Sequence, residues 1–316
     1  MHRVVVLDTN VYRWFNKDSF DAFLKLERQR QITPYADMWV MMELLAHLAN
    51  PNDESFTSCR HALRRVYERC IEPSPGKRGG VLKDSEDQIA LMVTGKRLPG
   101  HDEGTQRLCE LCYLVAMTPP EQNLPFGPEH VRWIADHVEK VEVWFSNNAR
   151  ELRNRAATIL GQVDTDDERR AARATSMREL DTSPAYRTAI IESLVRGSFK
   201  DVGDKVPDPL PQSKLAAVRK QLAVGVEFYA QLMRKAIYES INLDAGRNRN
   251  LVWDQRISYC IGQKVDGSPL WFVTRETDFA RAAERAGHGP RVRLLDNYLT
   301  WLNEKRHGMR RLRRAG

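Results

Sequence analysis

Arg3-Val4-Val5-Val6-Leu7-Asp8-Thr9-Asn10-Val11 is a short β-branched apolar run that ends on an acid and then opens into helical spacing. Such a run reads as a buried strand followed by a helix, and an acid at a strand's carboxyl end points into the crevice where open α/β sheets bind ligands. Asp8 alone decides nothing, because an aspartate there is as often a helix cap as a ligand. Its company decides the matter. Glu43 is the lone acid in Trp39-Val40-Met41-Met42-Glu43-Leu44-Leu45-Ala46, an apolar stretch with helical periodicity. A carboxylate in such surroundings needs a cation or a wet cleft; the bland alternative is a first-turn Glu that favours the helix dipole. Asp254 falls in Asn250-Leu251-Val252-Trp253-Asp254-Gln255-Arg256-Ile257, read as a short helix with the acid in its first turn and Gly262 at its stop. A second apolar strand with an acidic end follows, Leu270-Trp271-Phe272-Val273-Thr274-Arg275-Glu276-Thr277-Asp278-Phe279.

This order of strand-Asp, helix-Glu, helix-Asp and strand-Thr-x-Glu-x-Asp resembles the PIN domain, the fold of VapC-type toxins and of many RNA-processing nucleases. The likeness covers residues 1–54 and 246–303 and is absent between them. It implies a three-layer α/β/α domain with a central parallel sheet, built from the two chain ends, with a mainly helical insertion over 55–245 and a basic tail over 304–316. It further implies that Asp8, Glu43, Asp254 and Glu276 bind Mg²⁺ or Mn²⁺ and that these acids, with Asp278, are catalytic. The family most often has Asp where this chain has Glu276; the longer acid can serve directly or through water, and Asp278 offers a substitute. Asp87, in Lys83-Asp84-Ser85-Glu86-Asp87-Gln88-Ile89, also resembles the family's acid-led helix and is the rival third acid. Asp254 is preferred because its helix leads almost directly into the Trp271 strand, the connection a βαβ unit requires. Asp84 and Asp87 then read as cap and first-turn acids.

The ligand types set the expected chemistry. Hard oxygen donors without a Cys/His set favour Mg²⁺ or Mn²⁺ over zinc, and such an ion supplies an activated water and neutralises a scissile phosphate. The expected reaction is therefore metal-dependent hydrolysis of phosphodiester bonds, and the resemblance implies an endoribonuclease with RNA, single-stranded or in a loop, as substrate. Thr9, Asn10 and Thr274 stand beside the acids as short polar auxiliaries that either orient water and phosphate or cap the helices that follow. Family association alone adds a toxin or defence role, an antitoxin or activating partner, and a homodimer. Two rival classes are a PIN-fold nucleic-acid-binding or scaffold protein without cleavage and a structure-specific DNA nuclease.

Composition is consistent with a polyanionic partner. The formal charge is +7 and the pI about 9.2, so gathering acids at one point leaves basic surface around an acidic hole. Lys305-Arg306-His307-Gly308-Met309-Arg310-Arg311-Leu312-Arg313-Arg314 is the densest basic run. From 55 to 244 no strand-like alternation stands out, and helices are expected over 56–70, 84–96, 104–117, 128–160, 166–180, 183–195 and 212–241, with a Pro-rich break at 201–211. So long a middle must fold, because structureless connections above about 15 residues are uncommon. Arg60, Arg64 and Arg65, with Arg150, Arg153 and Arg155, read as phosphate contacts or as solvated helix faces. Five cysteines in helical stretches, Cys59, Cys70, Cys109, Cys112 and Cys260, fit buried thiols in a reducing cytosol better than a disulfide framework. No signal-peptide pattern and no apolar run of about 18 residues is present, which makes a cytoplasmic protein without a membrane partner the expectation. Phosphate-loop, His-Glu-x-x-His and nucleophile-elbow motifs are absent from the sequence.

Overall fold

The computed structural model describes residues 3–72, 79–161, 165–238 and 246–312. In chain order the elements are β1 (Arg3–Leu7), α1 (Thr9–Trp14), α2 (Lys17–Gln29), β2 (Ile32–Ala36), α3 (Met38–Ala46), α4 (Phe56–Val66), β3 (Gly80–Val81), α5 (Ser85–Thr94) and α6 (His101–Met117). There follow α7 (Glu129–Gly161), α8 (Asp166–Thr182), α9 (Pro184–Asp201), α10 (Gln212–Gln221), α11 (Ala223–Tyr238) and α12 (Gly246–Ile257). The chain closes with β4 (Lys264–Val265), β5 (Ser268–Thr274), α13 (Thr277–Arg285), β6 (Val292–Leu294) and α14 (Leu295–Leu312).

Two compact units divide the chain. The first holds residues 1–84, 100–132 and 260–316; the second holds 85–99 and 133–259. The expected insertion is therefore split, because α4, β3 and most of the α6 region belong with the sheet, whereas Asp254 and its helix belong with the second unit.

The first unit is α/β, with six strands in the order β3-β2-β1-β5-β4 and β6 also paired to β5. Every pairing is parallel except β4 with β5. Val4 to Leu7 are all buried, as a central parallel strand covered on both faces must be. Successive side chains on β5 point to opposite faces, and Trp271 meets Trp301 of α14 while Phe272 meets Phe279 of α13. Helices thus flank the sheet on both faces. Beneath it, Arg69 donates to both Glu27 oxygens at 2.8 and 3.0 Å, to Tyr12 Oη at 3.1 Å and to the Val5 carbonyl at 3.2 Å, and Tyr298 Oη donates to Glu27 at 2.9 Å.

Two strands depart from the sequence expectation. β3 is only two residues long, too short to show alternation, yet pairs with β2 through Tyr35↔Gly80 and Ala36↔Val81. β2 carries Pro34 in its middle, which lacks a ladder donor and hides the strand from periodicity, and it still pairs on both sides. The helix expected over 56–70 ends at Val66 and continues as one wider turn over Tyr67–Ile71. The helix expected over 212–241 breaks between Gln221 and Ala223, and its last residues lie outside the described ones. Residues 202–211 form the expected irregular connection.

The regular elements described in the second unit are all helices. In it α5 packs on α9 and α10, and α11 packs on α8, α9 and α12. Gly225 of α11 lies so close to Tyr259 that a Cβ there would overlap the ring.

Candidate functional site at the carboxyl edge of the sheet

Parallel strands end together, so whatever follows them is gathered at one edge. Asp8 follows β1, Asp37 follows β2, Asp84 stands just beyond β3, and β5 ends on Thr274 with Glu276 two residues on. The chain proceeds from β1 to β2 and β3 on one side and has β5 and β6 on the other, so the order reverses between β1 and β5. Open α/β sheets bind ligands at such a switch point.

Asp8 is 1% exposed and is both cap and bridge. Its Oδ1 accepts the Thr9 N–H at 2.8 Å, its Oδ2 accepts the Thr274 hydroxyl at 2.6 Å, and its own N–H donates to the Val273 carbonyl at 2.9 Å. Thr274 Oγ1 in turn accepts the Glu276 N–H at 3.0 Å. Thr9 Oγ1 donates to Glu43 Oε2 at 2.5 Å, and Asn10 Nδ2 donates to Glu276 Oε1 at 2.9 Å while its Oδ1 accepts the Arg275 N–H. Side chains that sequence alone left open as helix caps are thus the links that join Asp8, Glu43 and Glu276.

The electrostatics are adverse to charge. Burial, then Glu276, with Glu43 adding, lifts the Asp8 carboxyl well above the usual range against hydrogen bonds from Thr274 and Thr9. Burial pushes Glu43 up to about 7, with the Thr9 bond and Arg13 opposing and Glu276 reinforcing. Glu43 occupies the second turn of α3, whose other residues from Met38 to Leu45 are all buried, so the first-turn dipole reading does not apply. Among the described residues Glu43 Oε1 and Glu276 Oε2 accept no hydrogen bond.

The remaining expected acids have surroundings of their own. Asp278, in the first turn of α13, pairs with Arg281 of its own helix at 3.2 Å. Asp254 is buried on α12 in the second unit, and because that helix starts at Gly246 the residue lies in its third turn rather than its first. Asp87 is also in the second unit, where Arg97 Nη2 and Nε donate to it at 2.8 and 3.0 Å and the Leu98 N–H at 2.8 Å. The arginines of α4 are committed to backbone: Arg60 to the Pro119 and Gln122 carbonyls, Arg64 to Thr118, Arg65 to Tyr12. Arg150 is exposed, and the side chains of Arg153 and Arg155, like Arg313 and Arg314, lie outside the described residues. Among the described residues no group of three or more His, Cys, Asp or Glu is arranged to hold a metal ion. Among them, too, no helix is long and apolar enough to cross a membrane.

Three features of this edge escaped the sequence reading. Asp37 is 3% exposed and pushed up to about 7 by burial, with Asp84 adding to the effect. Its signal was Ala36-Asp37, the same strand-then-acid step as Leu7-Asp8, masked by Pro34. Cys260 is buried close enough to Asp37 and Asp8 that, after burial, both raise its thiol pKa. Trp14, 44% exposed at the end of α1, has the Arg275 guanidinium 5.8 Å from its ring centre, a cation and a flat apolar surface next to Asn10 and Glu276. Comparison with family models, with curated proteins and with solved structures returns no match for this chain.

Proposed function

We propose that the protein is a metal-dependent endoribonuclease that hydrolyses RNA phosphodiester bonds at this sheet edge, on a PIN-like α/β/α framework. The observation that carries the reading is the grouping of Asp8, Glu43 and Glu276 at the β1–β5 switch point, tied by Thr274, Thr9 and Asn10. Buried carboxylates of one sign raise each other's cost of ionisation, and a cation relieves it. The support is in the kind of donor rather than in a ready-made cage: all donors are oxygens, the charged neighbours that act on Asp8 are carboxylates, and Glu43 and Glu276 each keep an oxygen without a protein donor among the described residues. Asp8, Glu43 and Glu276 would hold Mg²⁺ or Mn²⁺, and Asp254 joins them on the sequence pattern alone. When bound, such an ion supplies an activated water and neutralises phosphate charge.

The chain's own groups do the positioning. The Thr274 hydroxyl fixes the Asp8 carboxylate, Thr9 fixes Glu43 and Asn10 fixes Glu276, while Trp14 and Arg275 offer a ring for a base and a cation for a phosphate. A toxin or defence role, with an antitoxin or activating partner, follows from the resemblance alone.

The test is incubation of the full chain with labelled single-stranded RNA and DNA in Mn²⁺, Mg²⁺ or EDTA, beside Asp8→Asn, Glu276→Gln and Asp254→Asn. Metal-dependent RNA cleavage, reduced about 100-fold or more in Asp8→Asn, is expected. Loss in Asp254→Asn as well assigns the third acid. Preferential DNA cleavage identifies the DNA-nuclease alternative, and RNA binding without cleavage identifies the binding-protein alternative.

A further inference from the structure

Away from the acids, the first unit carries a row of alternating arginine and tryptophan side chains. The Arg3 guanidinium lies 4.5 Å from the Trp301 ring centre and 4.7 Å from that of Trp271. Arg30 covers Trp301 at 5.0 Å and Arg293 covers Trp271 at 4.9 Å, so the row runs Arg30, Trp301, Arg3, Trp271, Arg293. The two indoles touch at 5.3 Å between centres. The row joins four elements and a turn: Arg3 from β1, Arg30 after α2, Trp271 from β5, Arg293 from β6 and Trp301 from α14.

Three guanidinium groups so close together repel, and Arg3 adds to the effect of burial in making Arg30 easier to deprotonate. A row of cations is ordinarily balanced by acids. Here, among the described residues, none of the three arginines forms an ion pair, and the acid that acts on Arg30 is Glu304, the weakest of the influences on it. Arg30 spends its donors on the Trp301 and Leu302 carbonyls at 2.8 and 2.6 Å. The Arg3 side chain makes no hydrogen bond among the described residues, and Arg293 Nε is buried without a partner. Stacking covers the faces of a guanidinium and leaves its in-plane N–H fork to meet an oxyanion, with side-chain entropy already spent.

We infer that the Arg3–Trp271–Arg293–Trp301 row is a second nucleic-acid contact, which grips the phosphate backbone of a single strand at a distance from the carboxylate edge. Arg3 opens β1 and Asp8 follows its end, a separation of about 16 Å along the strand. A chain that spans both would be held by its phosphates while another stretch of it lies at the acids. An anionic membrane is the competing polyanion, and the row lacks what membrane surfaces use: the exposed large apolar side chains among the described residues, Trp14, Leu91, Tyr113, Met117 and Val143, are not part of it. Beyond Trp301 the backbone of α14 continues as helix through the basic sequence Lys305-Arg306 and Arg310-Arg311. The identity of the strand as RNA rests on the function proposed above; the grip itself does not.

The experiment uses full-length Asp8→Asn in EDTA, so that cleavage plays no part, and follows the fluorescence anisotropy of a labelled mixed-sequence RNA 12-mer across a salt series. Arg3→Gln with Arg293→Gln in that background is expected to weaken binding about tenfold and to flatten the slope of log K against log salt by about 1.4, the value for two phosphates of a single strand. Arg3→Lys with Arg293→Lys, which keeps the charge and loses the fork, is expected to fall between. Independently of any variant's folding, ultraviolet crosslinking of the parent chain to 4-thiouridine RNA is expected to mark peptides that contain Trp271 or Trp301. Unchanged affinity and slope in the glutamine pair, or no adduct on either peptide, overturns the inference. So does arginine-dependent binding to phosphatidylserine vesicles with none to RNA. Binding that is lost in the glutamine pair while the parent chain cleaves nothing upholds the grip and removes the nuclease.

Discussion

Replacing Asp37 by Asn tests whether the acids of the sheet edge are held against their own charge. Asp37 is 3% exposed, accepts the Trp39 N–H at 2.8 Å as the cap of α3, and has Asp84 as a like-charged neighbour. Burial is the largest influence, and it lifts the carboxyl from an ordinary 3.8 to about 7 although backbone N–H groups oppose it. An acid that holds its proton more tightly in the folded chain contributes stability that is full below its unfolded pKa and lost as pH rises through its folded one. The window therefore runs from about pH 4 to about pH 7, and a shift of about three units corresponds to roughly 4 kcal/mol. Asn keeps an oxygen for the cap and cannot ionise. In EDTA, denaturant unfolding of Asp37→Asn at pH 8 should show a gain of about 2–4 kcal/mol over the parent, and at pH 5 the two should agree within about 1 kcal/mol. A variant less stable than the parent at pH 8 would refute the reasoning, because it would mean that the ionised carboxylate is already compensated.

Other outcomes follow from the same geometry. Mn²⁺ should raise the melting midpoint more at pH 8 than at pH 5.5, because Glu43, raised to about 7, and its neighbours must lose protons to take a cation; an equal rise at both pH values, or one that survives Asp8→Asn, counts against the site. Thr274→Val removes the hydroxyl that donates to Asp8 and accepts from Glu276, and should lower the cleavage rate about tenfold or more with little change in RNA affinity; wild-type turnover would show that Asp8 needs no such orientation. Arg69→Met strands the Glu27 carboxylate under the sheet and should cost about 3–5 kcal/mol in denaturant unfolding, with a loss under about 1 kcal/mol as the contrary result. Gly225→Ala forces a methyl onto the buried Tyr259 ring and should cost about 1–3 kcal/mol; a neutral effect would mean that α11 can move away from that ring.

What the sequence made legible was local. The β1 run, its terminal acid and the apolar helix around Glu43 depend on near neighbours, and so does the strand that ends at Thr274; all four are where periodicity places them. Long-range pairing was not legible. Pro34 concealed β2 and with it Asp37, and a two-residue β3 has no alternation to detect. The roles of Thr9, Asn10 and Thr274 stayed open because their partners, Glu43, Glu276 and Asp8, are 34, 266 and 266 residues away. The boundary between the two units escaped for the same reason: α4 and α6 read as part of a helical insertion until their packing with α3 shows them to belong beside the sheet.

The pairing of β1 with β5 carries a consequence for biosynthesis. Val4 to Leu7 find their partners in Leu270 to Val273, so β1 leaves the ribosome long before the strand that fills its second edge. Until then Asp8 has no Thr274 and Asn10 no Glu276. Slow closure of so distant a contact exposes an apolar edge in the meantime. It also delays the assembly of the Asp8, Glu43 and Glu276 group until β5 and the residues after it have been made.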